Sequence, residues 1–432
     1  MRAVLLVTVA TVTAVLSGCL STNPSSQSDS SSPPLTSTTA TQVTDAAPSS
    51  VHGVTPGTAF AGSPAFVLSS EATGGKPVTV GDLLVSRTSD GTFAAYDGTG
   101  KLVWEHPVLA GVDGSVKPEI VPLSDSVFAL VAEVETAGSG AGKATRAFNG
   151  VVVNAATGQD IKAFAVPITA SPDSPLTTAG LVLPPGDGAA GQPSTVVNSD
   201  GSTAPAAPIS INAKYAPIAS TPAYVSGGTV VHEWAGTSSA EVPAVDGFGT
   251  KDWTSFTTHP VGVDATTGQV LAVTLNGRIV AAWAPTGATG GFGSKREAIV
   301  AVIDATTGKT VGSPLACAGV TVQGEANGVV STNGQFVAVP SVAAVNTQTG
   351  VGVCLGATKD TYPVEQVSTV TDAGWVYGEV NNKPVQLDLA KAPNSKVEDL
   401  PGASAAPTVT VGDLVGFVGS DERTLAFYKR GN

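Results

Sequence analysis

The sequence predicts an all-β protein folded as a β-propeller of four-stranded antiparallel sheets. Three observations predict this fold. A short turn phrase recurs at intervals of about 40 to 60 residues, a spacing typical of propeller blades. Glycine is abundant (50 of 432 residues), whereas methionine (1) and aromatic residues (5%) are scarce, as in chains of short strands joined by tight turns. No convincing amphipathic helix follows the N-terminal segment.

The turn phrase is most complete at Val263–Gln269 (VDATTGQ) and at Ile303–Lys309 (IDATTGK). Weaker copies begin at Tyr96, Val153 and Val345. In each copy the Asp or Asn side chain can accept hydrogen bonds from the following backbone, and the glycine can adopt a positive φ. Because each copy lies between two apolar runs, we expect every copy to form a β-hairpin and not a ligand-binding loop.

The number of blades is obtained by counting the apolar strands that begin directly after a turn. Eight such strands are spaced by roughly 40 to 55 residues, which favours eight blades. Seven is the alternative, because the region 167–215 is irregular and could be an insertion. The eight strands are Gly81–Val85, Ser126–Leu130, Ala179–Leu183, Gly228–His232, Gly277–Ala281, Gly328–Val330, Ala373–Tyr377 and Gly412–Gly416.

The two ends of the repeat region predict how the ring closes. Val78–Leu83 matches Val409–Leu414, and the last blade is one strand short of four. Ala59–Ser69 is apolar and precedes the first repeat, so we expect it to supply the missing N-terminal strand. Such closure leaves no free sheet edge between the first and last blades.

The N-terminus has the pattern of an export signal. Met1-Arg2 is positively charged, and the apolar run Ala3–Leu16 is short for a membrane span. The run ends in Leu16-Ser17-Gly18-Cys19, which resembles the bacterial lipobox. This resemblance implies a signal peptide at residues 1–18, a lipid on Cys19 and attachment to the extracytoplasmic face of the cell membrane. Residues 19–57, rich in Ser, Thr and Pro, predict a disordered tether, and residues 58–432 a single, monomeric propeller domain.

One repeat carries a family resemblance. Ala95–Trp104 (AYDGTGKLVW) resembles the repeat of quinoprotein-type (PQQ-like) propellers, in which a turn and an apolar strand end in tryptophan. The family includes dehydrogenases and also non-catalytic lipoproteins that assemble membrane proteins. Trp is missing after the turns at Asp264, Asp304 and Asn346, so we expect the docking of tryptophan between blades not to be kept. The Ala-rich, Lys-poor composition is typical of actinobacteria.

The polar residues suggest no cofactor. The quinone enzymes of the family use adjacent cysteines, and this chain has none, so no cofactor is expected. Four histidines (His52, His106, His232 and His259) and three widely spaced cysteines do not make a metal-site pattern. The net charge of −13 argues against nucleic acid as a partner.

Cys317 and Cys354 are the cysteines that remain if Cys19 is lipidated. Both follow repeat turns in neighbouring blades, and an exported compartment is oxidising, which favours a disulfide between them. The alternative is a pair of buried thiols on strands that point apart.

The best candidate for a partner-binding loop lies within residues 235–259. It combines carboxylates with aromatic rings: Glu241, Asp246, Phe248, Asp252 and Trp253. Loops at the ends of a propeller channel are the usual place for recognition. The alternative is a surface loop that packs its own aromatic residues.

No catalytic motif is found, so we expect a lipid-anchored scaffold that binds a protein of the cell envelope. An envelope enzyme or ligand-binding protein, of glycan lyase, hydrolase or lactonase type, is the alternative. Its residues would come from separate blades at the mouth of the channel and would leave no motif in the sequence. A purely structural spacer is a third class.

Overall fold

The computed structural model describes residues 53–69, 77–109, 112, 116, 118–136, 145–168, 180–183, 193–206, 209, 221–234, 245–288, 296–320, 322, 328–357, 363–419 and 424–431. The chain divides into two units, Met1–Thr44 and Asp45–Asn432. The predicted signal peptide, Cys19 and most of the predicted tether lie outside the described residues. Among those residues, no helix has the length and apolar character needed to cross a membrane.

Within the described residues the chain forms thirty strands and one short 3-10 helix, Leu389–Lys391. The strands are β1 Phe66–Leu68, β2 Val78–Val80, β3 Leu83–Arg87, β4 Phe93–Tyr96, β5 Leu102–His106, β6 Glu119–Pro122, β7 Val127–Thr136, β8 Thr145–Asn154, β9 Asp160–Ile168, β10 Leu181–Leu183, β11 Ser194–Val197, β12 Thr203–Ala206, β13 Thr221–Ser226, β14 Thr229–Trp234, β15 Gly247–Gly249, β16 Gln269–Val273, β17 Arg278–Trp283, β18 Arg296–Asp304, β19 Thr310–Val320, β20 Val329–Val330, β21 Phe336–Val339, β22 Ala343–Asn346, β23 Gly352–Cys354, β24 Gln366–Val370, β25 Trp375–Val380, β26 Lys383–Asp388, β27 Glu398–Asp399, β28 Val409–Val411, β29 Leu414–Val418 and β30 Leu425–Lys429.

The strands form eight antiparallel sheets that follow one another along the chain, which confirms the predicted propeller and its eight blades. Blades 1, 2, 5, 6 and 7 are β2–β5, β6–β9, β16–β19, β20–β23 and β24–β27. Blade 8 is β28–β30 with β1 as its fourth strand. The described residues contribute three strands each to blade 3 (β10–β12) and blade 4 (β13–β15). Blade 3 comes from the irregular region, which is therefore a blade and not an insertion.

The two faces of the ring follow from the antiparallel order. We call the four strands of a blade A to D, from first to last along the repeat. Because the strands alternate in direction, the A–B and C–D turns lie on one face, here called the A–B face. The B–C turns and the D–A connections between blades lie on the opposite face, here called the B–C face.

The core lies between the blades. The described residues contain seven buried apolar clusters, and each joins side chains from two successive blades. One cluster, for example, packs Ala272 and Val280 of blade 5 against Val337 and Val345 of blade 6. Strands whose side chains are buried on both faces explain the Val- and Ala-rich runs of the sequence.

The predicted N-terminal strand closes the ring. β1 pairs with β30, where Phe66 lies opposite Phe427 and their rings stack with centroids 4.4 Å apart. Before this strand, Val54 is buried and Pro56 forms a β-bridge with Ala403. Residues 53–57, expected to belong to the tether, therefore pack on blades 7 and 8.

The repeat phrase forms the predicted hairpin in four copies, at Asp97, Asn154, Asp304 and Asn346. At Asp304 the Oδ1 atom accepts hydrogen bonds from the backbone N–H and the hydroxyl of Thr307, both at 2.9 Å. Gly308 closes the turn with a φ of 71°. Each of these copies joins strands C and D of its blade, on the A–B face.

The copy at Asp264 is different, and the hairpin prediction is wrong there. This turn lies between blades 4 and 5 on the B–C face and leads into β16. The backbone N–H of Asp264 donates to the carbonyl of Ala284 at 2.8 Å, and the N–H of Ala284 donates to the hydroxyl of Thr267 at 2.9 Å. The phrase is therefore attached to the end of β17 and does not pair two strands with each other.

Candidate functional site

Two aromatic residues of the predicted partner-binding loop are buried, so the expectation that they are available to a partner is corrected. Phe248 is fully buried in β15, and Trp253 is only 7% exposed. The indole N–H of Trp253 donates to the carbonyl of Ala305 in blade 5 at 2.9 Å. A Cβ placed on Gly308 would lie 2.6 Å from the Trp253 ring, so the ring rests directly on the repeat turn of blade 5.

Trp104 makes the same contact between blades 1 and 2. Its indole N–H donates to the carbonyl of Ala155 at 2.6 Å, and its ring lies over Gly158. Tryptophan docking between blades is therefore kept at two boundaries, contrary to expectation. The sequence concealed the second case because no repeat phrase precedes Trp253. These contacts also explain why the turn needs glycine, since the ring of the preceding blade occupies the space of a side chain.

The other residues of that loop are distributed differently. Glu241 lies outside the described residues. Asp252 is exposed and pairs with Lys251 at 2.7 Å. Asp246 is partly buried, at the point where the chain enters β15. Partner binding by Glu241, Asp246 and Asp252 stays a prediction.

Cys317 and Cys354 lie side by side on the D strands of blades 5 and 6. Their Cα atoms are 5.4 Å apart and their sulfur atoms 2.10 Å apart. The two strands therefore do not point apart, and the arrangement is compatible with the predicted disulfide.

A partly buried carboxylate marks the candidate site. Glu233 lies near the end of β14 and accepts a hydrogen bond from the Tyr224 hydroxyl at 3.1 Å. Burial raises the pKa of Glu233 to about 7. The nearby Asp246 carboxylate adds to this rise, while the hydrogen bonds from Tyr224 and from the backbone of Val270 oppose it.

Gln269 connects this glutamate to Asp246. Its side-chain N–H donates to Asp246 Oδ2 at 3.4 Å, and the next residue, Val270, holds Glu233 through its backbone. The side-chain oxygen of Gln269 is buried and has no hydrogen-bond partner among the described residues. Three groups that can accept hydrogen bonds therefore lie around the start of β16. We call Glu233, Asp246 and Gln269 the acceptor cluster.

The displaced repeat phrase builds this cluster. Asp264 Oδ1 accepts from the Thr266 backbone at 3.0 Å, and the Thr266 carbonyl accepts from the backbone of Asp246 at 2.9 Å. Gln269 is the last residue of the same phrase. The phrase thus positions both Asp246 and Gln269 on the B–C face, between blades 4 and 5.

Sequence reasoning included Asp246 but missed Glu233, Tyr224 and Gln269. One signal was available in the strand that contains Glu233. Alternate residues of a strand share a face, so Val231 and Glu233 point the same way, and Val231 is fully buried against blade 5. A carboxylate on an apolar face of a strand indicates a site. One partner, Tyr224, lies on the neighbouring strand of the same blade, whereas Val270 comes from blade 5 and could not be read from the sequence.

Two other ionisable groups, His106 and Asp372, have structural partners. His106 has its two ring nitrogens 2.7 Å from Asp160 and 2.7 Å from the Pro107 carbonyl, and so connects blades 1 and 2. Asp372 accepts from the backbone of Asn333 at 2.9 Å. Within the described ranges, no group of three His, Cys, Asp or Glu side chains could hold a metal ion.

No protein-family model and no curated protein matches this chain. Among solved structures it is similar to BamB from Moraxella catarrhalis, at 13% identity and a TM-score of 0.41, over 84% of this chain and 96% of that one. It is also similar to the rhamnogalacturonan lyase YesW, at 12% identity and a TM-score of 0.33, over 84% of this chain and 72% of that one. The Dos1 propeller follows at 10% identity and a TM-score of 0.29, over 81% of this chain and 76% of that one. Likeness at this level concerns the propeller fold alone.

Proposed function

We propose that this protein is a lipid-anchored, extracytoplasmic PQQ-like propeller that binds a protein partner at the cell envelope. The observation that carries the proposal is the acceptor cluster, because it offers polar groups for recognition on the B–C face. His106 and His259 contact backbone carbonyl or carboxylate groups and not a nucleophile. Such an arrangement supports binding better than catalysis.

The anchor and the compartment are supported by sequence and geometry together. The segment Leu16–Cys19 has the lipobox pattern, and the propeller begins about 35 residues later. A flexible tether of that length would span roughly 35 Å, enough to hold the ring clear of the headgroups. The adjacent Cys317 and Cys354 fit an oxidising compartment. A Cys19→Ala variant should leave the membrane fraction, and retention there would contradict the anchor.

The binding role is tested by crosslinking in intact cells followed by mass spectrometry. The wild-type protein should capture one dominant envelope protein, with crosslinks on the B–C face of blades 4 and 5. The control is an unrelated lipoprotein expressed at the same level. If no protein is enriched over that control, the scaffold proposal fails.

A second candidate function is ligand turnover or binding at the acceptor cluster. It is favoured by Glu233, whose pKa of about 7 suits a general acid or base. A panel of glycans and lactones, assayed with wild type and Glu233→Gln, tests it. Turnover that is lost in the variant would establish an enzyme, and no turnover by the wild type on any compound would count against this candidate.

A further inference from the structure

The acceptor cluster has more acceptors than donors. Glu233 accepts from Tyr224 and Val270, and each carboxylate has two oxygens with several acceptor positions. Asp246 receives one long side-chain hydrogen bond, from Gln269 at 3.4 Å. The buried oxygen of Gln269 receives none from the described residues. Buried acceptors without donors are costly, so the cluster is suited to a ligand that donates hydrogen bonds.

Among the described residues, no positive charge is paired with the cluster. Neither Glu233 nor Asp246 forms an ion pair with any described Lys, Arg or His. Among the described residues, the Tyr224 hydroxyl and the Asp246 carboxylate face Glu233. Gln269 binds Asp246 and Val270 binds Glu233, so the two carboxylates are close enough to repel each other, and no described cation offsets this repulsion. A cation between them would relieve this repulsion.

The indole of Trp283 is a second group without a described partner, beside the start of β16. Trp283 is fully buried, its ring centroid lies 5.5 Å from that of Phe248, and its N–H has no partner among the described residues. A Cβ on Gly268, the residue before Gln269, would lie 2.8 Å from that N–H. Gln269 is thus preceded in the chain by a glycine that lies against a buried donor without a described partner.

We propose that the acceptor cluster binds a primary ammonium group, supplied by a lysine side chain of the protein partner. An ammonium has three donors and no acceptor, and three groups here can accept from it: Glu233, Asp246 and Gln269. A calcium ion takes six to eight oxygen ligands, more than the described residues offer. The inference rests on the proposed binding role, because it names the chemistry of the partner.

The test uses full-length ¹⁵N-labelled protein and the probe Nα-acetyl-L-lysine amide. The indole N–H signal of Trp283, assigned with a Trp283→Phe variant, should shift saturably on titration at pH 8.5. The doubly acetylated lysine amide, which lacks the ammonium, should give no shift. Glu233→Gln and Asp246→Asn should each weaken binding at least tenfold. The control, Glu398→Gln, removes an exposed carboxylate of blade 7 and should bind like wild type.

Binding should also weaken at least tenfold between pH 8.5 and pH 5.5, because the ammonium requires ionised Glu233. Equal shifts with the acetylated probe, or undiminished binding by Glu233→Gln, would overturn the inference. Saturation by calcium chloride at lower concentration than by the amine would also overturn it, in favour of a metal site.

Failure of this inference is distinguishable from failure of the binding role. If crosslinking captures the same partner with wild type and Glu233→Gln, and the amine does not bind, the scaffold stands and the ammonium site falls. If the amine binds as described but no partner is captured, the site stands and the protein-binding role falls.

Discussion

Replacing Glu233 with glutamine should remove a pH dependence from the stability of the propeller. Glutamine has nearly the same shape and can still accept the hydrogen bond from the Tyr224 hydroxyl at 3.1 Å. It cannot ionise, so the cost of a buried charge beside Asp246 disappears. The variant therefore isolates one titration in a folded protein.

The magnitude follows from the pKa of Glu233, which burial raises from 4.5 to about 7. A group with a raised pKa in the folded state binds its proton more tightly there than in the unfolded state. Its contribution to stability is full below pH 4.5 and is lost as pH rises through about 7. At about 1.4 kcal/mol for each pH unit, the total loss is about 3 kcal/mol. Between pH 5 and pH 8.5 it is about 2 to 3 kcal/mol.

The assay is urea unfolding followed by tryptophan fluorescence at intervals from pH 5 to pH 8.5. Burial also raises the pKa values of Glu119 and Asp372, so the wild type alone would not isolate Glu233. The difference in the free energy of unfolding between wild type and Glu233→Gln isolates Glu233, because both proteins contain the other two groups. As the pH rises from 5 to 8.5, the free energy of unfolding of the variant should increase by about 2 to 3 kcal/mol relative to that of the wild type. A difference that stays constant with pH would refute the reasoning, and Asp252→Asn should follow the wild type.

Three further predictions concern the contacts between blades. Trp253→Ala should lower the free energy of unfolding in urea by about 3 to 5 kcal/mol, because it leaves a cavity between blades 4 and 5. The control is Val261→Ser, at a residue that is 98% exposed, which should change this free energy by less than about 0.5 kcal/mol. Gly308→Ala should cost more than about 1 kcal/mol, because the new Cβ meets Trp253 at positive φ. The control is Gly98→Ala, where the new Cβ has no atom within 4 Å. Equal losses of unfolding free energy in the two variants would refute the argument that Trp253 rests on Gly308. Cys354→Ser should cost about 3 to 4 kcal/mol in oxidised protein and nothing after reduction with dithiothreitol, since the cross-link spans 37 residues.

The repeated turns show how far local chemistry carries a prediction. Asp304 and Gly308 form the predicted turn because its hydrogen bonds are made within a few residues. The turn at Asp264 makes similar local bonds, yet it lies on the other face and pairs no strands. The sequence around it could not reveal this, because the difference depends on Ala284, which belongs to the next blade.

Trp253 shows the same limit for an aromatic residue. In the sequence it stands beside Lys251 and Asp252, which suggests a polar surface loop. In the fold its ring is covered by blade 5, and its N–H finds a carbonyl 52 residues away. Burial of a side chain depends on what packs against it, and that surface is distant in the sequence.

The amino-acid sequence was sufficient to predict the propeller and the strand that closes the ring, and it favoured eight blades over seven. These features follow from the period of the apolar runs and from turns formed between near neighbours. Only the tertiary structure decided which polar residues meet. Glu233, Asp246 and Gln269 come from different segments of two blades, and the pKa of Glu233 is raised because the packing of those blades partly buries it. Such proximity is a property of the closed ring and not of any segment of the chain.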